Sequence, residues 1–251
     1  MPQQIGGNVK PQQSTIWPSK VKDSKDVEIK VVSADGIALY VPEHLLKSHS
    51  EVLSSMINDI PPPTPGGTDP RLIEFSDPDI EGYKTLHLFL AVVTQNSLEG
   101  AIARDETDGG RGETLISAMR FAEKWDCGMA AHLITLYLME LARRGRDQDI
   151  IDPFDIFVIA AQLDLPHIAA KVIELYTGKE DAADSASQSP TSTWPFLLSG
   201  EMVDIDTLED EAWQVVPGSY LRALYRASTR GGSNAQRAAK FLEAVTRPKK
   251  G

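Results

Sequence analysis

A single cysteine, Cys127, in 251 residues excludes an intramolecular disulfide, so nothing in the fold calls for an oxidising compartment. No apolar run approaches the ~20 residues that span a bilayer. The opening MPQQIGGNVKPQQSTIWP also lacks the apolar centre of a secretory signal. A cytoplasmic or nuclear protein with no membrane contact is expected. Metal signatures are missing as well. The five histidines are scattered, and the nearest pair, His44 and His49, has no Cys or carboxylate at ligand spacing. Cys127 and His132 offer two groups where a zinc site needs three or four. Asp108-Gly109-Gly110-Arg111-Gly112-Glu113-Thr114 sets glycines before a helix, but lacks both the Gly-Lys-Ser/Thr ending and the preceding strand of a phosphate loop. It reads as a flexible loop. No Gly-x-Ser-x-Gly elbow occurs, and Glu209-Asp210-Glu211 lies in an acidic run whose default is solvation. The chain is therefore expected not to be an enzyme, with no catalytic residue, no cofactor and no metal.

What the chain has is polarised charge. The formal net charge is −11, which repels nucleic acid overall. Glu180 to Glu211 holds nine carboxylates and no Lys or Arg. Arg222, Arg226, Arg230, Arg237, Lys240, Arg247, Lys249 and Lys250 follow, with Glu243 alone against them. Arg222, Arg226 and Arg230 recur every four residues and form one stripe on a helix beside Leu221, Leu224 and Tyr225. The expectation is an intramolecular pairing of this stripe with Asp204 to Glu211, anchored by Trp213, and not a nucleic-acid site.

The ordered pattern begins near Lys25. In DVEIKVVSADGIALYVPEHLLKSHSEVLSSMI, Val27, Ile29 and Val31 alternate, then Ile37, Leu39 and Val41, with Asp35-Gly36 between them as a tight-hairpin signal. Pro42 suits the first turn of a helix. Ser48 to Glu51 has capping-box spacing for a second helix, with Val52, Leu53, Met56 and Ile57 on one face, so that Leu53 and Met56 are expected in the core. Ile60 to Pro70 carries five prolines and two glycines and reads as a surface loop. Leu72 to Phe75 is short and extended, and Asp77-Pro78 reads as the cap of a helix bearing Tyr83, Leu86, Phe89, Leu90 and Val93. From Glu113 helical spacing resumes through Trp125, and then from Leu133 to Leu141. Asp152-Pro153 caps a helix that is apolar all round, which implies burial on more than one side. Asp164 with Pro166 starts its partner, whose stripe is Ile168, Val172, Ile173 and Tyr176.

A hairpin running straight into two small helices resembles the start of a BTB/POZ domain. Asp26-Val27, Asp35-Gly36, Leu46 and Ser50 to Met56 fall where that family has its first strand, its turn, its first helix and its Ser-x-x-Phe-x-x-Met. The later pieces, Pro61 to Pro65, Asp69 to Phe75, Leu86 to Leu98, Leu115 to Tyr137 and Pro153 to Ala170, resemble in order those of BTB proteins from mushroom-forming fungi. Pro42-Glu43 stands where many members carry His-Lys or His-Arg, and Val93-Thr94-Gln95 stands where they carry Tyr-Thr-Gly.

The resemblance implies an α+β, mostly helical BTB/POZ-like domain with an amino-terminal β-hairpin, a short further strand and a carboxy-terminal helical extension. The expected organisation is a disordered arm over 1–24, the domain over 25–145, a helical extension packed on it over 146–178, and a linker over 179–193. A small helical appendage over 194–246 and a basic tail over 247–251 follow. The implied function is protein binding, as an oligomerisation or partner-docking scaffold. Its partners would be other proteins, including a second copy in a homodimer. The candidate contact residues are Leu45, Leu46, His49 and Val52. The family also includes adaptors of cullin-type ubiquitin ligases, which makes a cullin an alternative partner. The apolar-x-Glu element that adaptors often carry does not occur between Gln95 and Glu113. A transcription-associated role is a third reading, and the chain has no zinc-finger or helix-turn-helix pattern to accompany it.

Overall fold

The computed structural model describes residues 12–18, 27–61, 70–94, 98–103, 110–144, 151–176, 214–228 and 233–247. The chain is mixed α+β and mostly helical, with one small four-stranded sheet among the described residues. Strands β2 (Glu28–Val32) and β3 (Ile37–Pro42) pair antiparallel, with Ile29 opposite Val41 and Val31 opposite Leu39, and all four side chains are buried. Alternation works because a strand turns every second side chain to the same face. Val27 departs from the pattern: it precedes the strand and is 59% exposed. The turn also differs from a two-residue one. The Gly36 N–H donates to the Ser33 carbonyl at 2.8 Å, and Gly36 (φ +79°) adopts the left-handed backbone while Asp35 does not. The Ser33 hydroxyl and the backbone of Ile37 close the loop with bonds of 3.0–3.1 Å.

Two further strands flank the hairpin, giving the order β1-β3-β2-β4. β4 (Arg71–Glu74) runs parallel to β2 and buries Ile73. β1 (Gln12–Gln13) runs parallel to β3, so the expected arm without structure over 1–24 does not hold for residues 12–18. Its attachment is through the backbone: the Ser14 N–H donates to the Ala38 carbonyl at 2.8 Å, and the Tyr40 N–H to that of Trp17 at 3.1 Å. The Ser14 hydroxyl accepts from the amides of Ile16 and Trp17.

Helices α1 (Glu43–His49) and α2 (Glu51–Asp59) follow β3 without a loop. Pro42 is the last residue of the strand and the N-cap of α1, one position earlier than the first turn. The cap of α2 is Ser50, whose hydroxyl accepts from the Leu53 N–H at 2.9 Å; Ser48 lies at the end of α1 and does not cap. Leu53 and Ile57 are fully buried, whereas Met56 is half-buried. The next helix, α3 (Tyr83–Val93), starts later than Asp77-Pro78 indicates. Residues 77–81 form a turn, and the Tyr83 N–H is capped across the fold by Asp35 Oδ1 at 2.9 Å. α3 buries Leu86 and every residue from Leu88 to Val93.

Helix α4 (Leu98–Ala103) and the early start of α5 (Gly110–Lys124) replace part of the expected flexible loop. Gly112, in the first turn of α5, lies beside Ile159, where a Cβ would make an ordinary contact with Cδ1 at 3.4 Å. α6 (Gly128–Arg144), α7 (Pro153–Gln162) and α8 (Pro166–Tyr176) follow. The Asp152 carboxylate caps α7 by accepting the Phe154 N–H at 2.8 Å, and Pro153 through Ala161 are buried except Asp155. The ends of α5 and α7 close alike. Cys127 N–H donates to the Ala122 carbonyl and Leu165 N–H to that of Ala160, both at 2.7 Å, around Asp126 (φ 51°) and Asp164 (φ 52°). In both, an aspartate takes the left-handed C-terminal position that glycine usually fills. Asp164 thus ends α7 and does not start α8.

Two compact units emerge: Met1–Ser97 with Ser117–Ala131, and Leu98–Ile116 with His132–Gly251. In the first, Phe75 meets Phe121 and Trp125 edge-on at ring distances of 5.4 and 5.3 Å. In the second, Phe241 of α10 (Asn234–Thr246) contacts Phe157 and Tyr220, the latter on α9 (Gly218–Ser228). The Tyr220 hydroxyl donates to Asp164 at 3.0 Å. Among the described residues no helix is long and apolar enough to cross a membrane.

Truncating Leu53 leaves a cavity where α2 meets the core. Leu53→Ala is expected to lower unfolding free energy by ~2–5 kcal/mol, read from the denaturant midpoint. Met56→Ala is expected to lower it less.

Candidate functional site

The sequence places the contact residues on α1 and α2, and the structure divides them. Leu46 is 4% exposed and belongs to the core, so it is removed from the candidate surface. Adjacent helical residues point about 100° apart, so on α1 Leu46 turns inward while Leu45 beside it is only half-buried. Leu45 and His49, one turn apart, are half-buried. His49 Nδ1 lies 2.9 Å from the Leu45 carbonyl, a bond that requires the proton on that nitrogen, so the ring is tied to its own helix. Val52 is 43% exposed on the outer face of α2.

These helices are held from below by charge. Arg71 Nη1, on β4, donates to both carboxylate oxygens of Glu43, at 3.1 and 3.2 Å. Lys47 Nζ reaches Glu43 Oε1 at 2.5 Å and Asn58 Oδ1 at 2.6 Å. Both partners of Glu43 are more than two-thirds buried along the side chain, which makes the cluster stronger than a surface pair. The Ser50 hydroxyl, besides capping α2, donates to the Trp125 carbonyl, which fixes α2 to the corner after α5.

One highly connected polar group among the described residues, Glu81, was not singled out by sequence reasoning. Glu81, buried to 2% exposure, accepts the amides of Ser76 and Asp77 at 2.9 and 2.8 Å through Oε2, and the Trp125 indole N–H at 3.1 Å through Oε1. Lys124 Nζ stands 2.9 Å from Oε1 and 3.2 Å from Asp77 Oδ2. The Glu81 carbonyl accepts the Ala34 N–H at 3.0 Å. Burial pushes the Glu81 carboxyl up, but the Lys124 hydrogen bond and the two amides outweigh it and hold the group below the usual carboxylate range. The Asp77 carboxyl is lowered too, chiefly by its bond to Lys124.

Other titratable groups are shaped by burial. Asp155, half-buried in the first turn of α7, is pushed up to about 7 by desolvation and then by the nearby Asp152 charge. Cys127 is fully buried, and desolvation raises its thiol to about 11, which keeps it protonated at neutral pH. Among the described residues no group of three or more His, Cys, Asp or Glu is placed to hold a metal ion. Asp204 to Glu211, Trp213 and Arg230 lie outside the described residues; Arg222 and Arg226 are exposed, and so is Tyr225, which does not join the apolar line of Leu221 and Leu224. No family model, no curated protein and no solved structure matches the chain.

The two shifted carboxyls act oppositely on stability. Because the Glu81 pKa is depressed on folding, its contribution is complete above about pH 4.5 and is lost as pH falls through the lower folded value. Glu81→Gln should cost ~2–4 kcal/mol at pH 7 and flatten the acid limb of the stability curve, as measured by urea titration across pH 3–7. Asp155 is raised, so its contribution is present below about 4 and declines as pH rises to about 7. Asp155→Asn should therefore exceed wild type by ~1–2 kcal/mol at pH 8 and match it near pH 4, by the same titration.

Proposed function

We propose that this chain is a protein-protein interaction module of BTB/POZ type, working as an oligomerisation or partner-docking scaffold. The order of elements supports the reading: an antiparallel hairpin, two short helices, a short parallel strand, a third helix, a pair of longer helices and a further pair. The observation that carries it is Val52. A β-branched apolar side chain stands 43% exposed on a helix whose inner face is fully committed to Leu53 and Ile57. A lone exposed apolar residue is ordinary on a protein surface, but Leu45 and the His49 ring lie on the preceding helix, itself tied to α2 by the Lys47–Asn58 bond.

The mechanism is burial of apolar area on a rigid platform. The Glu43–Arg71–Lys47 cluster and the Ser50 cap fix α1 and α2 before any partner arrives, which reduces the ordering entropy that association must overcome. A stable interface buries about 1,200–2,000 Å², so Leu45, His49 and Val52 would form its centre, with polar neighbours such as Glu51 and Ser55 at the rim.

Val52→Asp places a charge at that centre without touching the core. Wild type should sediment as a dimer at about 50 µM and the variant as a monomer, with unfolding stability unchanged within ~0.5 kcal/mol. A monomeric wild type would remove self-association. Partner docking is then read by affinity purification of both tagged proteins with mass spectrometry, where proteins lost only with Val52→Asp support docking through this face, and an unchanged set contradicts it.

A further inference from the structure

The outer face of α9 carries side chains that docking through α1 and α2 does not use. Tyr220, Leu221, Ala223, Leu224 and Ala227 are buried, while Arg222, Tyr225 and Arg226 are exposed, Tyr225 by 58%. Their i, i+3 and i+4 spacing sets them on one strip, with the two arginines one turn apart. Arg222 Nε donates to the Gly218 carbonyl at 3.2 Å, which lays the side chain along its own helix. Neither arginine has a carboxylate partner among the described residues. Over residues 214–228 and 233–247, Arg222, Arg226, Arg237, Lys240 and Arg247 face Glu243 alone, although the whole chain has a net charge of −11.

We propose that this strip of α9 docks an acidic peptide segment of a partner protein, with Arg222 and Arg226 gripping carboxylates and Tyr225 covering the apolar side chain between them. Charge complementarity sets the occupant. A guanidinium presents a fork of donors that matches a carboxylate in bidentate geometry, and two such forks one turn apart suit carboxylates on successive turns of a helical peptide or on alternate residues of an extended one. A nucleic acid fits less well: base stacking would have one aromatic ring to use, and a long polyanion feels the field of the whole acidic chain, whereas a short peptide within a Debye length of ~8 Å feels the local basic face. The proposal stands apart from the α1–α2 surface, because its residues lie on a different helix and are read by a different measurement.

The test is fluorescence anisotropy of a labelled twelve-residue peptide of alternating Asp and Glu with a central Leu, titrated with the full chain at about 0.15 M salt, where the Debye length is ~8 Å. Saturable binding in the micromolar range is expected, weakened about tenfold or more by Arg222→Glu with Arg226→Glu and retained in part by the double lysine variant. Tyr225→Ala should weaken it severalfold. All of these positions are exposed, so melting temperatures should not change, and sedimentation should match wild type whether or not the chain self-associates. The chain's own acidic run is present in every arm. Absence of saturable binding, or equal binding by the double glutamate variant, overturns the proposal. So does tighter binding of a single-stranded RNA or of phosphatidylserine vesicles through the same arginines, which would assign the strip to nucleic acid or to a membrane surface.

Discussion

One carboxylate, that of Glu81, ties together the parts of the first compact unit that are far apart in sequence. It takes two backbone amides at the exit of β4, the indole N–H of Trp125 and the ammonium of Lys124 at the end of α5, while its own carbonyl receives the hairpin amide of Ala34. A buried charge is tolerated only where its lone pairs are filled, and here they are filled by groups from two separate stretches of chain, residues 76–77 and 124–125. The position of α3 follows from it. Two residues after Glu81, the Tyr83 N–H meets Asp35, so the hairpin turn serves as the helix cap that the local sequence does not supply. Trp125, held by Glu81, presents its ring to Phe75 and its carbonyl to Ser50, and Ser50 in turn caps α2. Each bond fixes the acceptor of the next, and the chain of bonds ends at the helix that bears Val52.

This arrangement explains which parts of the structure could be read in the sequence. The β2–β3 hairpin was legible because alternation of Ile29 and Val31 against Leu39 and Val41 records burial directly, and α7 was legible because a helix apolar all round has nowhere to go but inside. β1 was not, since a two-residue polar strand is held by backbone bonds and leaves no side-chain period to detect. The start of α5 at Gly110 runs against helix propensity, since Gly110 and Gly112 are poor helix formers, and no local signal marks it. Glu81 looked like any acid in a polar turn, because what distinguishes it lies 44 residues away at Trp125. Of the candidate contact residues, Leu46 belongs to the core, since one residue of phase decides which of two adjacent leucines points inward.

The same division separates rigid from reactive surface. Burial raises the Asp155 carboxyl and the Cys127 thiol, whereas Glu81 is lowered against its burial by Lys124 and two backbone amides. The outward residues on which binding is proposed, Val52 on α2 and Arg222, Tyr225 and Arg226 on α9, sit on helices whose opposite faces are filled by Leu53 and Ile57 in one case and Tyr220 and Leu224 in the other. A scaffold works in this way when its helices are fixed first and its contacts are added on the outside.

Hydrogen exchange at the bonds to Glu81 tests the central claim most directly. If this carboxylate organises the first unit, the amides of Ser76 and Asp77 and the indole N–H of Trp125 should exchange only with global unfolding, at rates matching the core amide of Leu53, and should lose that protection together as acid protonates Glu81, below the usual carboxylate range. Exchange at these three sites orders of magnitude faster than at Leu53 under neutral conditions would contradict the account.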